Sequence, residues 1–99
     1  MTTQQTESAG KAVVITGGGA GLGLAIARRL AADGHRLFLL GRTGDKVRAA
    51  AEGLGMGAVG GQCDVSDPAS VDSAFAEIAG HAPRIDVLIN NAGVFAPFF

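Results

Sequence analysis

The chain has 99 residues, of which 47% are hydrophobic and 17% charged, with a formal net charge of −1. This length allows one compact domain and leaves no room for a separate substrate domain, while the apolar content argues against a disordered chain. The near-neutral charge offers no basic stripe to nucleic acid, and no apolar run approaches the roughly 20 residues that span a bilayer. Cys63 is the single cysteine, so a thiolate zinc site is not expected. We therefore predict no nucleic-acid, membrane or metal partner.

The first ten residues are polar and lack the basic start and apolar segment of a secretory signal. We interpret residues 1–10 as a flexible tail and residues 11–99 as the domain. A lone cysteine is typical of a reducing compartment. The sequence therefore predicts a cytoplasmic protein.

Short apolar runs alternate with helical patterns along the chain. Residues 11–16 are rich in β-branched side chains and stop at a glycine cluster, which predicts a buried strand. A helix is expected over 22–32, because apolar residues recur there at helical spacing from Leu22 onward and Gly34 can cap its end. The same reasoning predicts further strands at 37–40, 58–63 and 85–90, and further helices at 45–52 and from the N-cap Asp67 to Gly80.

This alternation of strands and helices predicts an α/β fold, a Rossmann-like parallel sheet of four strands with flanking helices. Right-handed crossovers give the strand order 3-2-1-4. Ligands of such sheets bind where the order reverses, between the ends of strands one and four. Unusual residues stand at both of those ends, at 17–23 and 90–93.

The segment from Thr16 to Gly23 reads Thr-Gly-Gly-Gly-Ala-Gly-Leu-Gly and joins a strand to a helix. Free N–H groups and the positive end of the helix dipole favour a phosphate at such a junction. We interpret Gly17 as the turn out of the strand, Gly21 as the approach to a pyrophosphate and Gly23 as a helix-packing contact. Taken alone, the segment could also be a glycine-rich turn without a ligand. Its spacing fits neither Gly-x-Gly-x-x-Gly nor a P-loop.

The pattern is instead Thr-Gly-x-x-x-Gly-x-Gly, and Asn90-Asn91-Ala92-Gly93 follows the fourth strand. Together the two motifs resemble the short-chain dehydrogenase/reductase family, in which they mark the cofactor-binding half. Asp64-Val65 matches the family's adenine-pocket position, and the resemblance runs from about residue 11 to the last residue. It implies an NAD(P)-dependent oxidoreductase that transfers a hydride to or from a small carbonyl or alcohol substrate, and a homo-oligomer when full-length.

Carried over position by position, the resemblance assigns the pyrophosphate to the glycine motif, the adenine amino group to Asp64 and the ribose to the Asn91 segment. Asp64 could instead merely begin a loop, and Asn91 could merely close a turn. The predicted cofactor-binding residues are Thr16, Gly17, Gly19, Gly21, Leu22, Gly23, Arg42, Thr43, Asp64, Val65, Asn91, Ala92 and Gly93.

Cofactor choice is expected just after the second strand, where an acidic residue would hold both ribose hydroxyls of NAD. Here the chain reads Gly41-Arg42-Thr43. Because a guanidinium and a hydroxyl can bind a 2′-phosphate, the segment predicts NADP in preference to NAD. The alternative is that Arg42 is only a solvated surface residue. Many family members that prefer NADP also have a basic residue inside the glycine motif, where this chain has Ala20.

Three further polar residues invite an interpretation. Asp86 interrupts the apolar run of the fourth strand. A buried carboxylate needs hydrogen-bond partners, so we expect Asp86 to support the adenine pocket or its neighbouring loops. His35 and His81 each follow a glycine and are interpreted as turn residues.

The family's catalytic Ser and Tyr-x-x-x-Lys pair follow the fourth strand. The Tyr exchanges a proton with the substrate oxygen, and the Lys lowers the pKa of the Tyr. The chain contains no tyrosine, so no catalytic residue is assigned, and the apolar end at 97–99 is interpreted as a truncation. We expect the 99-residue chain alone to be inactive. The alternative is a non-catalytic dinucleotide-binding or interaction module.

Overall fold

A computed structural model describes residues 10–91, which form a four-stranded parallel sheet in the order β3-β2-β1-β4. The elements are β1 (Ala12–Thr16), α1 (Gly21–Ala32), β2 (Arg36–Gly41), α2 (Gly44–Leu54), β3 (Val59–Gln62), α3 (Pro68–Ala79) and β4 (Val87–Asn90). The predicted fold and strand order are confirmed. Of the tail expected at 1–10 only Gly10 is described, and residues 92–99, with Ala92, Gly93 and the apolar end, lie outside the described residues.

The sheet is packed on both faces. Side chains alternate along a strand, so Val13 and Ile15 of β1 point to one face and Ala12 and Val14 to the other. The first face is covered by α1 and α2 through Ala27, Ala31, Val47 and Ala51. The second is covered by α3 through Ala74 and Ile78. This distribution is the one that right-handed crossovers require for the observed strand order.

The parallel register places the carboxyl ends of all four strands at one edge of the sheet, called here the carboxyl edge. Thr16 pairs with Leu40 of β2 on one side and with Asn90 of β4 on the other. The crevice where the strand order reverses therefore lies between the ends of β1 and β4, as expected. Of the helices in residues 10–91, none has the length and apolar content needed to cross a membrane.

Of the two glycines in β3, Gly60 has a packing role. A Cβ atom there would overlap the carbonyl group of Val47 and lie 2.8 Å from the Cα atom of Arg48. Only glycine allows α2 to approach the sheet this closely. The first half of α2 is consequently held beside the carboxyl edge.

Leu22, the first residue of the apolar pattern of α1, does not lie on the buried face of the helix. Its side chain is 68% exposed, whereas Gly23, Ala27 and Ala31 of the same helix are buried. The first turn of α1 lies next to the loop that follows β1, so its apolar residue has no strand beneath it. Leu22 is thereby open to a ligand at the carboxyl edge.

The expectation that Asp86 supports the adenine pocket or its neighbouring loops is wrong. Asp86 precedes β4, at the amino edge of the sheet, where its Oδ2 atom accepts the N–H of Ala12 at 2.8 Å and its Oδ1 atom accepts Arg84 Nε at 3.0 Å. The hydrogen bond from Ala12 is the main cause that lowers the pKa of this carboxyl group, and the charge of Arg84 adds to it. Asp86 therefore stabilises the start of β1 at the edge opposite the candidate site.

Candidate functional site

The ends of β1 and β4 are joined by side-chain hydrogen bonds at the crevice. The buried Thr16 hydroxyl donates to Asn90 Oδ1 at 3.0 Å and accepts the backbone N–H of Asn91 at 2.9 Å. The Asn91 amide in turn donates to the carbonyl oxygen of Gly17 at 3.3 Å. Thr16 and Asn91 thus brace the two strands, while a contact between Asn91 and a ribose stays a prediction.

The turn out of β1 is made at Gly17, whose φ of 70° lies in the left-handed region that favours glycine. Its N–H group donates to the carbonyl oxygen of Leu40 at 2.7 Å, and the N–H of Gly18 reaches the same oxygen at 3.3 Å. The loop is therefore tied to the end of β2, in agreement with the turn expected at this glycine.

The close contact expected at Gly23 is present, and its partner is the loop. A Cβ atom at Gly23 would overlap the carbonyl oxygen of Gly17 and lie 2.7 Å from Asn91 Nδ2. The absence of a side chain lets the first turn of α1 rest on the loop and on the brace. Gly23 thereby fixes where the helix begins relative to the crevice.

The N-terminus of α1 is open. Its N-cap residue Ala20 provides no side-chain hydrogen bond, and the first turn has no acidic residue. Within residues 10–91, the N–H groups of Gly21, Leu22 and Gly23 make no hydrogen bond. Three free donors at the positive end of a helix dipole are suited to bind an anion. Gly21 has a φ of 56° and open space where a side chain would stand, so a ligand can approach its backbone.

Two adjoining pockets flank this loop. The smaller, of about 190 Å³, is called here the β2–α2 pocket and is lined by Gly17, Gly19, Ala20, Gly41, Arg42, Thr43, Lys46 and Val47. The larger, of about 380 Å³, is called the β3 pocket and is lined by Gly17, Leu40, Gly41, Arg42, Cys63, Asp64, Val65 and Ser66. Because Gly17, Gly41 and Arg42 belong to both linings, one elongated ligand can occupy both pockets and the open helix terminus.

Asp64 is an ionised carboxylate on the wall of the β3 pocket. Its Oδ1 atom accepts the Ser66 hydroxyl at 2.6 Å and the Ser66 N–H at 3.0 Å. These two bonds, with the nearby charge of Arg42, lower the pKa of Asp64 below its usual range. Asp64 does begin the loop before α3, as the alternative interpretation held. Within the described residues its Oδ2 atom has no hydrogen bond, and it can accept an amino group in the pocket.

The Arg42 and Thr43 side chains are exposed beside the β2–α2 pocket. Within residues 10–91, the Arg42 guanidinium makes no hydrogen bond or ion pair, and the Thr43 hydroxyl does not cap α2. Both side chains are therefore available to a ligand. Lys46 lines the same pocket and was not among the predicted site residues. Its signal was its place in the first turn of a helix, where a lysine opposes the helix dipole.

Comparisons with known proteins agree with this geometry. The family model described as short chain dehydrogenase matches residues 11–98. The 3-oxoacyl-(acyl-carrier-protein) reductase MabA of Mycobacterium bovis is 40% identical over an alignment that covers 100% of this chain and 39% of the relative. The NADP-dependent 3-hydroxy acid dehydrogenase YdfG of Salmonella typhi is 37% identical over 83% of this chain and 33% of the relative.

A solved structure also agrees with this geometry. The structure of a 3-ketoacyl-(acyl-carrier-protein) reductase from Brucella melitensis, complexed with NADH, superposes with a TM-score of 0.78 at 30% identity, over 82% of this chain and 34% of that chain. The chain spans 33% to 39% of the length of these three proteins.

Proposed function

Because this chain belongs to the short-chain dehydrogenase family, we propose that it is the cofactor-binding portion of an oxidoreductase that transfers a hydride between NADP(H) and a small carbonyl or alcohol. The observation that carries the proposal is the open N-terminus of α1, with three free N–H groups beside two joined pockets. A helix start with this much unsatisfied positive potential suits a pyrophosphate.

Each part of a dinucleotide has residues of matching chemistry. The first turn of α1 would hold the pyrophosphate, with Gly21 allowing close approach of the backbone. Asp64 would accept the adenine amino group in the β3 pocket, beside the exposed Val65. The predicted segment 91–93 would meet the ribose on the side of β4. When bound, the cofactor supplies or accepts the hydride, and the residues of this chain hold and orient it.

The preference for NADP is argued from Arg42 and Thr43. Both line the β2–α2 pocket, and within the described residues their side chains make no hydrogen bond or ion pair. A guanidinium binds a phosphate through charge-assisted hydrogen bonds. Among the described residues, no carboxylate lines this pocket to repel the phosphate. YdfG is named as NADP-dependent, whereas the Brucella melitensis structure contains NADH. Because these two relatives differ in their cofactor, the preference for NADP over NAD is argued from the residues of this chain.

The alternative candidate function is a dinucleotide-binding or interaction module without catalysis. Both candidates expect residues 1–99 to bind NADP and to show no carbonyl reduction with NADPH. They differ when the chain is joined to a segment that supplies a Ser and a Tyr-x-x-x-Lys pair, because only the oxidoreductase would then gain turnover. A cytoplasmic location and homo-oligomers of a full-length form stay predictions.

The test is a binding titration of residues 1–99 with NADP⁺ and NAD⁺. Val87 and Leu88 of the edge strand β4 are 39% and 54% exposed and favour association between copies. The chain is therefore coupled to a sensor surface at low density through its N-terminal segment. We expect NADP⁺ to bind at least about tenfold more tightly, since charge-assisted hydrogen bonds contribute roughly 1.5–3 kcal/mol. Failure to bind either nucleotide would overturn the proposal.

The residue behind the preference is tested with Arg42→Asp, which replaces an attraction for the 2′-phosphate with a repulsion. Affinity for NADP⁺ should fall by about 100-fold and affinity for NAD⁺ by much less. Arg28→Asp is the matched control, because Arg28 is an exposed residue in the second half of α1 that lies outside both pockets. Equal losses for both nucleotides would show that Arg42 does not read the 2′-phosphate.

A further inference from the structure

The charged side chains that line the β2–α2 pocket are cationic. Among the described residues, its lining contains Arg42 and Lys46 and no carboxylate. The nearest acidic residue in sequence, Asp45, is engaged elsewhere, because its Oδ1 atom pairs with Arg48 Nη2 at 3.0 Å. An anion that entered this pocket would therefore meet two positive charges from two different elements, the end of β2 and the first turn of α2.

Lys46 is held at this position by its neighbour Val47, which is 2% exposed. A Cβ atom at Gly41 would lie 2.7 Å from Val47 Cγ1, and one at Gly19 would lie 3.1 Å from the same atom. Val47 is thus wedged between the glycine loop and the end of β2. Because close-packed side chains do not shift freely, the first turn of α2 has a fixed place against the loop, and the mouth of the pocket is within reach of the Lys46 side chain.

The lining of the pocket also contains Ala20. Position 20 is where a basic residue of the glycine motif would stand, and alanine has no charge to offer. Lys46 lines the same cavity from a different element, α2. Ala20 and Lys46 therefore line the same pocket of about 190 Å³. A cation at either position can reach an anion bound in that pocket.

On the basis of the function proposed above, we propose that Lys46 is a second specificity-determining residue for the 2′-phosphate of NADP(H), supplying from α2 the positive charge that the glycine motif lacks at Ala20. Lys46 and Arg42 then bind the 2′-phosphate from two directions. Neither is required for NAD(H), which has a hydroxyl in place of that phosphate.

The experiment measures the ratio of NADP⁺ to NAD⁺ affinity on the immobilised chain for wild type and for Lys46→Met. We expect the variant to lose at least about 10-fold in NADP⁺ affinity while NAD⁺ affinity stays within about twofold, in line with one lost charge-assisted contact. Lys46→Arg should keep the wild-type ratio. Lys11→Met is the matched control, because it removes the same charge from an exposed residue before β1, at the amino edge of the sheet.

A double variant relocates the charge. Ala20 is exposed and its backbone is extended, with φ of −164° and ψ of 171°, so it accepts a long side chain without strain. Ala20→Lys combined with Lys46→Met should restore the preference for NADP⁺. A purely structural role of Lys46 would not be rescued by a lysine at position 20.

The outcomes separate the two proposals. If wild type binds NAD⁺ and NADP⁺ equally, or if Lys46→Met leaves the ratio unchanged, the dinucleotide site stands and the role of Lys46 is overturned. If Lys46→Met weakens both nucleotides alike, Lys46 acts on the pyrophosphate or on the fold, and its role is overturned as well. If wild type binds neither nucleotide, both proposals fail. Amide hydrogen exchange of each variant shows whether the sheet is intact.

Discussion

Helices α1 and α3 begin at the same edge of the sheet, but their first turns end in different ways. Asp67 caps α3 by accepting the N–H of Ala69 at 3.1 Å, and Pro68 occupies a first-turn position that needs no donor. Ala20 leaves α1 uncapped, although Ser, Thr, Asp or Asn at this position would satisfy one of its donors. The N-terminus of α3 is thus satisfied within the protein, whereas that of α1 has the free donors that the proposed function assigns to a ligand.

Leaving a helix uncapped costs about 0.5–2 kcal/mol. In α1 this cost is offset by burial of Gly23, Ala27 and Ala31 against the sheet and the loop. The start of α3 is supported further by Ser70, whose hydroxyl accepts the N–H of Asp64 at 2.8 Å. Polar groups of the protein thus stabilise the N-terminus of α3, whereas packing alone stabilises the N-terminus of α1. Within the described residues, the first backbone N–H donors of α1 therefore stay free.

The largest effect is expected at Gly21, where the open terminus would be blocked. Gly21→Val places a branched side chain in the space before the first turn and forces it into a φ of 56°, which costs on the order of 1–3 kcal/mol. We expect affinity for both NADP⁺ and NAD⁺ to fall by at least about 100-fold, measured on the immobilised chain.

Gly34→Val separates lost binding from backbone strain. Gly34 follows the other end of α1 and has a φ of 91°, and a Cβ atom there would have open space around it to 4 Å, so valine is strained there in the same way. It lies far from the pockets, and nucleotide affinity should stay at the wild-type value. Undiminished affinity in a Gly21→Val protein whose amide protection matches wild type would contradict the assigned site.

The alternation of elements was predictable because strand and helix periodicities differ and because glycines stop the strands. The strand order followed from crossover handedness. The exposure of Leu22 was not predictable, since helical spacing does not reveal where the sheet beneath a helix ends. Asp86 was placed at the wrong edge because a pattern shows that a carboxylate needs a partner and does not show which one. Lys46 was missed because only the packed α2 brings it to the pocket.

Adding an N-cap to α1 and removing the N-cap of α3 should change the stability of the unliganded chain in opposite directions. Only the first change should alter nucleotide affinity. Ala20→Ser gives α1 a side-chain acceptor, so the unliganded chain should gain about 0.5–1 kcal/mol of stability while nucleotide affinity falls several-fold, because a donor is now occupied. Asp67→Ala should lose about 1 kcal/mol and leave affinity unchanged. Chemical denaturation and titration measure the two quantities. Weaker nucleotide binding by Asp67→Ala would remove the distinction between the two termini.

The smallest effect concerns the stability of the fold at acid pH. It tests the same comparison at Asp64, because this residue begins the loop before the capped helix α3 and also lines the β3 pocket. Hydrogen bonds from Ser66 lower the pKa of Asp64, and the bond from the N–H of Ala12 lowers that of Asp86. A carboxyl group with a lowered folded-state pKa stabilises the fold above its unfolded pKa and loses this contribution as pH falls through the folded value.

Both carboxylates should therefore add to a loss of stability as the pH falls below about 4. Asp64→Asn and Asp86→Asn should each make that loss shallower, as followed by denaturation between about pH 6 and 2. Only Asp64→Asn should weaken NADP⁺ and NAD⁺ alike, by a few-fold, because Asp86 lies at the opposite edge. If both variants bound nucleotide as wild type does, Asp64 would be a loop residue alone, and the adenine would have to be recognised by other groups in the β3 pocket.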